Sequence, residues 1–150
     1  MLLAIEITAW VILFVLALRG ARWAYAIFLV LAFVWIPART GFHLHRPPCQ
    51  MQFTRELVLN SLGKYKHISL WGAFFLMTWV QLRRGRHALL IAAIATIAIG
   101  ILIELEEGAT GTGMCRATDL LPDGVGAVIG AVIATVWRRR DENAVRPPAV

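Results

Sequence analysis

The stretch ALLIAAIATIAIGILI, residues Ala88–Ile103, decides the fold class of this chain. It carries no charged side chain, and Thr96 is its one polar residue. An α-helix needs roughly 17–25 predominantly apolar residues to cross the hydrocarbon core of a bilayer, and this stretch reaches that length with a few flanking residues. The sequence therefore predicts a transmembrane helix here.

Four more apolar segments share this character, and each is near the lower limit of length for a span. They are Leu2–Leu18, Trp23–Ile36, His67–Leu82 and Leu120–Trp137. Apolar residues make up 59% of the 150-residue chain, above the roughly 45–50% of soluble domains. We expect an all-α integral membrane bundle of about five transmembrane helices. It forms a single membrane domain, 1–140, followed by a disordered cytoplasmic tail, 141–150, and Pro37 is expected to end the second helix.

Basic residues occupy three short segments on one side of a five-span bundle: Arg19–Arg22, Arg83–Arg86 and Arg138–Arg140. Short loops rich in Lys and Arg stay in the cytoplasm, so the N-terminus is predicted outside and the C-terminus inside. The long connection 38–66 is also basic and lies outside in this arrangement. A four-span alternative, with one early segment re-entrant, therefore stays open.

The net charge of +6 does not indicate nucleic-acid binding, because the basic residues sit between apolar runs and form no stripe with aromatic residues. The two cysteines, Cys49 and Cys115, belong to no CxxC pair, which excludes zinc-ribbon and thioredoxin-like motifs. Both fall in predicted outer loops, where an oxidising compartment permits a disulfide. We predict this bond, with two free thiols as the alternative.

Ionisable residues gather at the outer end of the predicted bundle, although they come from distant parts of the sequence. The candidate polar site consists of Lys64, His67, Glu104, Glu107, Arg116, Asp119 and Asp123. Charged groups near a bilayer usually pair or face a cavity, because burying them unpaired costs free energy. We expect His67, Glu104 and Asp119 to pair with one another, with Lys64 and Arg116 at the rim. The alternative for each residue is a solvated helix end.

Small residues continue this pattern along the last helix. Asp119, Asp123, Gly126 and Gly130 step by four, three and four residues and so form one stripe. A G-x-x-x-G pair allows two helix backbones to approach closely. The stripe is predicted to face protein, with homo- or hetero-oligomerisation through the glycine face as one option.

Three short motifs in 64–133 resemble those of the VanZ-like membrane protein family. The family's Asp-Lys-x-x-His appears as Gly63-Lys64-Tyr65-Lys66-His67, its Glu-x-x-Gln as Glu104-Leu105-Glu106-Glu107, and its Asp-x-x-x-Asn-x-x-Gly as Asp119-Leu120-Leu121-Pro122-Asp123-Gly124-Val125-Gly126. Lys64, His67, Glu104, Asp119 and Gly126 match by identity. Gly63, Glu107 and Asp123 depart from the pattern, and Arg116 stands closer to Asp119 than the family's arginine usually does.

The resemblance implies a multi-pass protein of a bacterial plasma membrane, linked in some members to resistance to teicoplanin-type glycopeptides. It implies no established reaction and no cofactor. We expect a membrane lipid or cell-envelope precursor as partner. The alternatives are a membrane enzyme of lipid phosphate chemistry and a non-catalytic accessory subunit. A metal site at His43-x-His45 is not favoured, because no ligand spacing is diagnostic.

Overall fold

The computed structural model describes residues 2–40, 49–111, 113 and 115–145. The regular elements within these ranges are six α-helices and a 3-10 turn at Ala117–Asp119, joined by short turns and loops. The α-helices are α1 Leu2–Leu18, α2 Arg22–Thr40, α3 Arg55–Leu62, α4 Tyr65–Leu82, α5 Ala88–Thr110 and α6 Leu120–Val145. The expected all-α fold is confirmed, and two helical stretches, Ala88–Thr110 and Ala117–Ala144, are long and apolar enough to cross a membrane.

Helix α4 is the central helix, in contact with α1, α2, α5 and α6. Phe75 and Trp79 pack on one side of it against alanines of α5 and α6. Trp71 and Phe74 pack on the other side, against α1 and α2. The neighbouring helices therefore shield most of α4, so its polar residues need not meet the surroundings of the bundle.

The closest approach between helices joins α6 to α4 through glycines. A Cβ on Gly126 would lie 2.5 Å from the carbonyl oxygen of Ile68 and 2.8 Å from the nitrogen of Gly72. A Cβ on Gly130 would lie 2.9 Å from the Gly72 carbonyl oxygen. The glycine face predicted to contact protein thus packs within the chain. Helix α4 covers Gly126 and Gly130 in this way, and oligomerisation through the glycine face stays a prediction.

Helix α5 presents its small residues inward at every fourth position. The buried residues of this helix are Ala88, Ala92, Thr96, Gly100, Glu104 and Gly108. Large apolar side chains such as Leu90, Ile94 and Leu102 remain exposed on its other sides. Glu104 is thus the one large side chain on a face otherwise built from small residues.

The outer surface of the bundle is apolar on every long helix except α4. The exposed large hydrophobic residues include Ile5, Ile7 and Val11 of α1, Ile27 and Val30 of α2, and Val128, Val132 and Val136 of α6. The interior, in contrast, holds the buried polar and charged residues Ser61, Thr78, Thr96, Glu104, Thr118, Asp119 and Asp123. The bundle therefore combines an apolar core with a buried polar cluster and exposes many large apolar side chains.

Three helix ends differ from the sequence-based expectation. Helix α2 does not end at Pro37 but continues to Thr40, because a proline removes one backbone donor and a helix can continue past that single loss. Helix α5 continues past Ile103 to Thr110 and ends at Gly111, whose positive φ of 70° closes the helix. Residues 141–145, expected to be a disordered tail, extend α6, and an ion pair between Arg138 and Glu142 (3.6 Å) supports that last turn. The rest of the tail, 146–150, lies outside the described residues.

Candidate functional site

Three parts of the chain meet at one end of the bundle. They are the corner between α3 and α4, the last turns of α5, and the 3-10 turn that leads into α6. Thr54 caps α3, since its hydroxyl accepts a hydrogen bond from the Leu57 nitrogen at 3.3 Å. Gly63 follows α3, and α4 begins at Tyr65, so Ser61 and Lys64 lie next to each other at the corner.

Asp119 is the anchor of this corner. Its Oδ1 lies 2.6 Å from Lys64 Nζ and accepts a hydrogen bond from Ser61 Oγ at 2.9 Å. Ser61 Oγ also lies 2.7 Å from the carbonyl oxygen of Thr118. Ser61, Thr118 and Asp119 are all buried. A buried carboxylate needs such partners because leaving it unpaired costs several kcal/mol (about 3–5).

Asp123 lies one helical turn further along and is 1% exposed. Its Oδ1 faces His67 Nδ1 at 3.7 Å, which is an ion pair when the imidazole is protonated. Helix α5 comes so close on the other side that a Cβ on Gly100 would lie 2.7 Å from Asp123 Oδ2. Only glycine at position 100 leaves the carboxylate this space.

Glu104 binds backbone rather than a side-chain cation. Its Oε2 accepts a hydrogen bond from the Arg116 nitrogen at 3.0 Å. The loop that presents this nitrogen is fixed by a disulfide between Cys49 and Cys115, whose Cα atoms are 4.7 Å apart. Gln50 adds two backbone hydrogen bonds, from its nitrogen to the Cys115 carbonyl (2.8 Å) and from the Ala117 nitrogen to its own carbonyl (3.0 Å).

Glu107 completes the site without a direct ion pair inside the described residues. It lies within electrostatic range of His67, Lys64, Asp119 and Asp123. Its carboxylate folds over Gly113, where a Cβ would clash with it. Glu107 is therefore an acidic neighbour of Lys64 and His67.

Exposure divides the site into a cationic outer side and an acidic inner side. The side chains of Lys64 and His67 are 32% and 39% exposed, whereas those of Asp119 and Asp123 are 9% and 2% exposed. The ammonium and the imidazole are therefore the more accessible groups, and the carboxylates that contact them are buried.

The structure brings the candidate residues to one end of the bundle, but their direct partners differ from those expected. We expected His67, Glu104 and Asp119 to pair with one another, yet within the described residues no direct contact joins them. Each instead binds another member: His67 faces Asp123, Asp119 binds Lys64, and Glu104 binds the Arg116 backbone. Pairing depends on how far each helix is rotated about its axis, which the spacing of charged residues does not determine.

Three residues of the site were not identified from the sequence. Ser61 holds Asp119, Gly100 makes room for Asp123, and Gly72 faces the glycine pair of α6. Two of them carried a signal. Gly100 stands four residues before Glu104, and Ser61 stands three residues before Lys64, so each shares a helix face or corner with a candidate residue.

Among the residues that the structure describes, no group of three or more His, Cys, Asp or Glu side chains could hold a metal ion. His43 and His45, considered as ligands in the sequence, lie outside the described residues.

No family model, no curated protein and no solved structure matches this chain.

Proposed function

We propose that this chain is a multi-pass membrane protein of about five spans, formed by α1, α2, α4, α5 and α6. Two helical stretches meet the length and hydropathy of a span by themselves. The apolar outer surface of α1, α2, α5 and α6 supports the proposal, because an interior that holds carboxylates and glycines suits a bundle surrounded by lipid. Helix α4 lies between the others, so it can cross the membrane without being strongly apolar itself.

We place the polar site outside the cell and the arginine-rich turns in the cytoplasm of a bacterium. The α1–α2 and α4–α5 turns line one cavity, and Arg138 lies with Arg83 and Arg84 around another. These contacts put the three basic segments at one end, and the disulfide and the polar site are at the other. The positive-inside rule then gives an external N-terminus and a cytoplasmic C-terminus.

Topology reporters test this orientation. A pair of fusions, one active only in the cytoplasm and one only outside, is placed in the Arg83–Arg86 turn and after the C-terminus. Cytoplasmic signal is expected at both positions. A C-terminus outside the cell would refute the five-span proposal.

The polar site is proposed to bind the anionic group of a cell-envelope precursor or lipid. The observation that carries this is the division of the site, with Lys64 and His67 exposed and their carboxylate partners buried behind them. Such an arrangement holds cationic donors in fixed positions facing outward, which is what recognition of a phosphate or carboxylate requires. The VanZ-like resemblance supports it, since the matching residues Lys64, His67, Glu104 and Asp119 are those that converge. That resemblance links the site to teicoplanin-type glycopeptide resistance.

Substitutions in the site test this function through susceptibility to teicoplanin, with membrane abundance measured beside it. Glu104→Gln replaces the carboxyl group with an amide of nearly the same shape, and it should abolish resistance at normal abundance. Glu56→Gln is the matched control, because Glu56 is exposed in α3 and lies outside the site. If both variants give the same resistance, the polar site has no part in the phenotype. If Glu104→Gln lowers abundance in parallel with resistance, the residue is structural.

A lipid phosphate enzyme is the second candidate, favoured by the contact between His67 and Asp123. A carboxylate facing Nδ1 orients an imidazole so that Nε2 can act as a base, as in catalytic His–Asp pairs. In this structure Nδ1 and the carboxylate are 3.7 Å apart, which is longer than a hydrogen bond, so catalysis would require the two groups to move closer. His67→Ala distinguishes the two functions. Loss of phosphate release from a lipid phosphate, with binding retained, indicates catalysis, whereas resistance that survives alanine at His67 and Glu104 favours an accessory role.

A further inference from the structure

The end of the bundle opposite the polar site contains a second charged feature, which the proposed function does not use. Gln81, near the end of α4, is 17 residues from Lys64, so the two sites are separated by roughly 25 Å along the helix. The feature is a cleft between the α1–α2 turn and the α4–α5 turn.

The α1–α2 turn is tight and well defined. Gly20 adopts a positive φ of 89°, and the nitrogens of Gly20 and Ala21 bond back to the carbonyls of Ala17 and Leu16 at 2.9 and 3.0 Å. This left-handed residue closes α1 and lets α2 begin at Arg22. Arg19 and Arg22 consequently stand on either side of a turn whose backbone is fixed.

Gln81 ties the second turn to the first. Its Nε2 donates a hydrogen bond to the carbonyl of Ala17 at 2.7 Å, joining the end of α4 to the end of α1. The residues that follow α4 therefore lie beside the α1–α2 turn. This hydrogen bond joins residues that are 64 positions apart in the chain. It brings Arg83 and Arg84 next to Arg19 and Arg22.

The four arginines surround a cavity of about 350 Å³, whose wall also includes Val80 and Gln81. This volume lies at the lower end of the range for small-molecule sites, roughly 300–1,000 Å³. We call it the arginine cleft, defined by Arg19, Arg22, Arg83 and Arg84. It is open to the surroundings, since all four side chains are exposed.

The cleft concentrates four like charges, and an acidic residue, Asp141, lines a neighbouring cavity with Arg83 and Arg84. Within the described residues, none of the four arginines forms an ion pair with Asp or Glu. Guanidinium groups are suited to bidentate contacts with phosphate oxygens, and several around one cavity attract an anion more strongly than any of them alone. An anionic group bound here would relieve their mutual repulsion.

The surroundings of the cleft favour a lipid over a soluble phosphate. Trp23 follows Arg22 directly and is 59% exposed, and Ile27 and Val30 continue an exposed apolar surface along α2. Tryptophan is the residue typical of the boundary between lipid headgroups and acyl chains. A ligand with a phosphate in the cleft and an acyl chain along α2 would contact both surfaces.

We propose that the arginine cleft is a binding site for the phosphate of an anionic phospholipid headgroup, with the acyl chains lying along α2. The proposal rests on the proposed membrane location of the bundle but not on the function of the polar site, so the lipid site can be tested separately.

The test is native mass spectrometry of the full chain in mild detergent with added phosphatidylglycerol. Phosphatidylcholine is the lipid control and inorganic phosphate is the soluble competitor. Phosphatidylglycerol should be retained and phosphatidylcholine lost. The double variant Arg22→Gln, Arg84→Gln should lower the retained phosphatidylglycerol roughly tenfold or more, since each basic residue near an anionic headgroup contributes several-fold to binding.

The matched control is Arg86→Gln, Arg139→Gln, which removes the same charge from the same end of the bundle without touching the cleft. It should leave retention unchanged. If both double variants retain equally little phosphatidylglycerol, binding depends on diffuse surface charge and the proposal is overturned. Equal retention of phosphatidylcholine, or full displacement by millimolar inorganic phosphate, would overturn a lipid-specific site. Arg22→Lys, Arg84→Lys keeps the charge and should bind at an intermediate level if the bidentate contact matters.

Discussion

Gly126→Ala tests whether direct backbone contact between α4 and α6 holds the bundle together. The added Cβ would lie 2.5 Å from the Ile68 carbonyl oxygen and 2.9 Å from Trp71 Cβ. Ordinary van der Waals contact begins near 3.4 Å, so the two helices must separate by nearly 1 Å at their closest point. Gly124→Ala is the matched control, because nothing lies within 4 Å of a Cβ at that position of the same helix.

The expected magnitude follows from two opposing effects. Overpacking costs about 1–3 kcal/mol, and the upper value applies here because one obstructing atom is a backbone oxygen that cannot rotate away. Replacing a helical glycine with alanine stabilises the helix by about 1 kcal/mol, because alanine has the higher helix propensity. Gly126→Ala should therefore lower the free energy of unfolding by about 2 kcal/mol, and Gly124→Ala should raise it by about 1 kcal/mol.

Thermal unfolding of the purified protein, followed by tryptophan fluorescence, measures the difference. At about 3 °C per kcal/mol for a chain of this size, Gly126→Ala should melt about 9 °C below Gly124→Ala. Trp71 lies at the contact and reports on it directly. Equal midpoints for the two variants would show that α6 can separate from α4 without cost, which refutes the packing argument.

Three further changes probe the site and its support. The cysteines of the disulfide are 66 residues apart. Reducing the bond should lower the free energy of unfolding by about 4 kcal/mol according to the chain-entropy relation, and an unchanged melting midpoint in reductant would contradict this. Lys64→Gln should destabilise by about 1–2 kcal/mol, because Asp119 keeps its hydroxyl partner but loses its cation, whereas the exposed Lys66→Gln should change nothing measurable in the same melt. Gly100→Ala places a Cβ 2.7 Å from an Asp123 carboxylate oxygen and should lower membrane abundance; wild-type abundance would mean that the carboxylate has room to move.

The helices could be predicted from hydropathy wherever an apolar run ends at a charge or a turn. The expected bounds of α1, Leu2–Leu18, agree with the structure. Helix α5 was predicted too short, because Glu104 interrupts its apolar run. The helix ends instead at Gly111, where the backbone turns left-handed. Hydropathy responds to the chemistry of side chains, and a helix boundary is set by backbone geometry.

The residues of the polar site could be predicted, and their contacts could not. The order of the helices along the chain and the positions of their ends predicted that Lys64 and His67 lie near the carboxylates of α5 and α6. The hydrogen bond from the Arg116 nitrogen to Glu104 had no sequence signal, because every non-proline residue offers a backbone nitrogen. The loop that presents it depends on a disulfide partner 66 residues away. Long-range restraints of this kind leave no local periodicity to detect.

The inner face of α5 has a consequence for how this sequence can vary. Positions 88, 92, 96, 100 and 108 are buried and hold small residues, and Glu104 is held by a backbone contact. Between them, exposed positions hold large apolar residues such as Leu90, Ile94 and Leu102. In a saturation screen, leucine and isoleucine should interchange freely on the outside, while a single added methyl on the inside should be rejected. The number of accepted substitutions would then vary along the helix with a period of four residues. The positions that accept the fewest would be those of small residues rather than large ones.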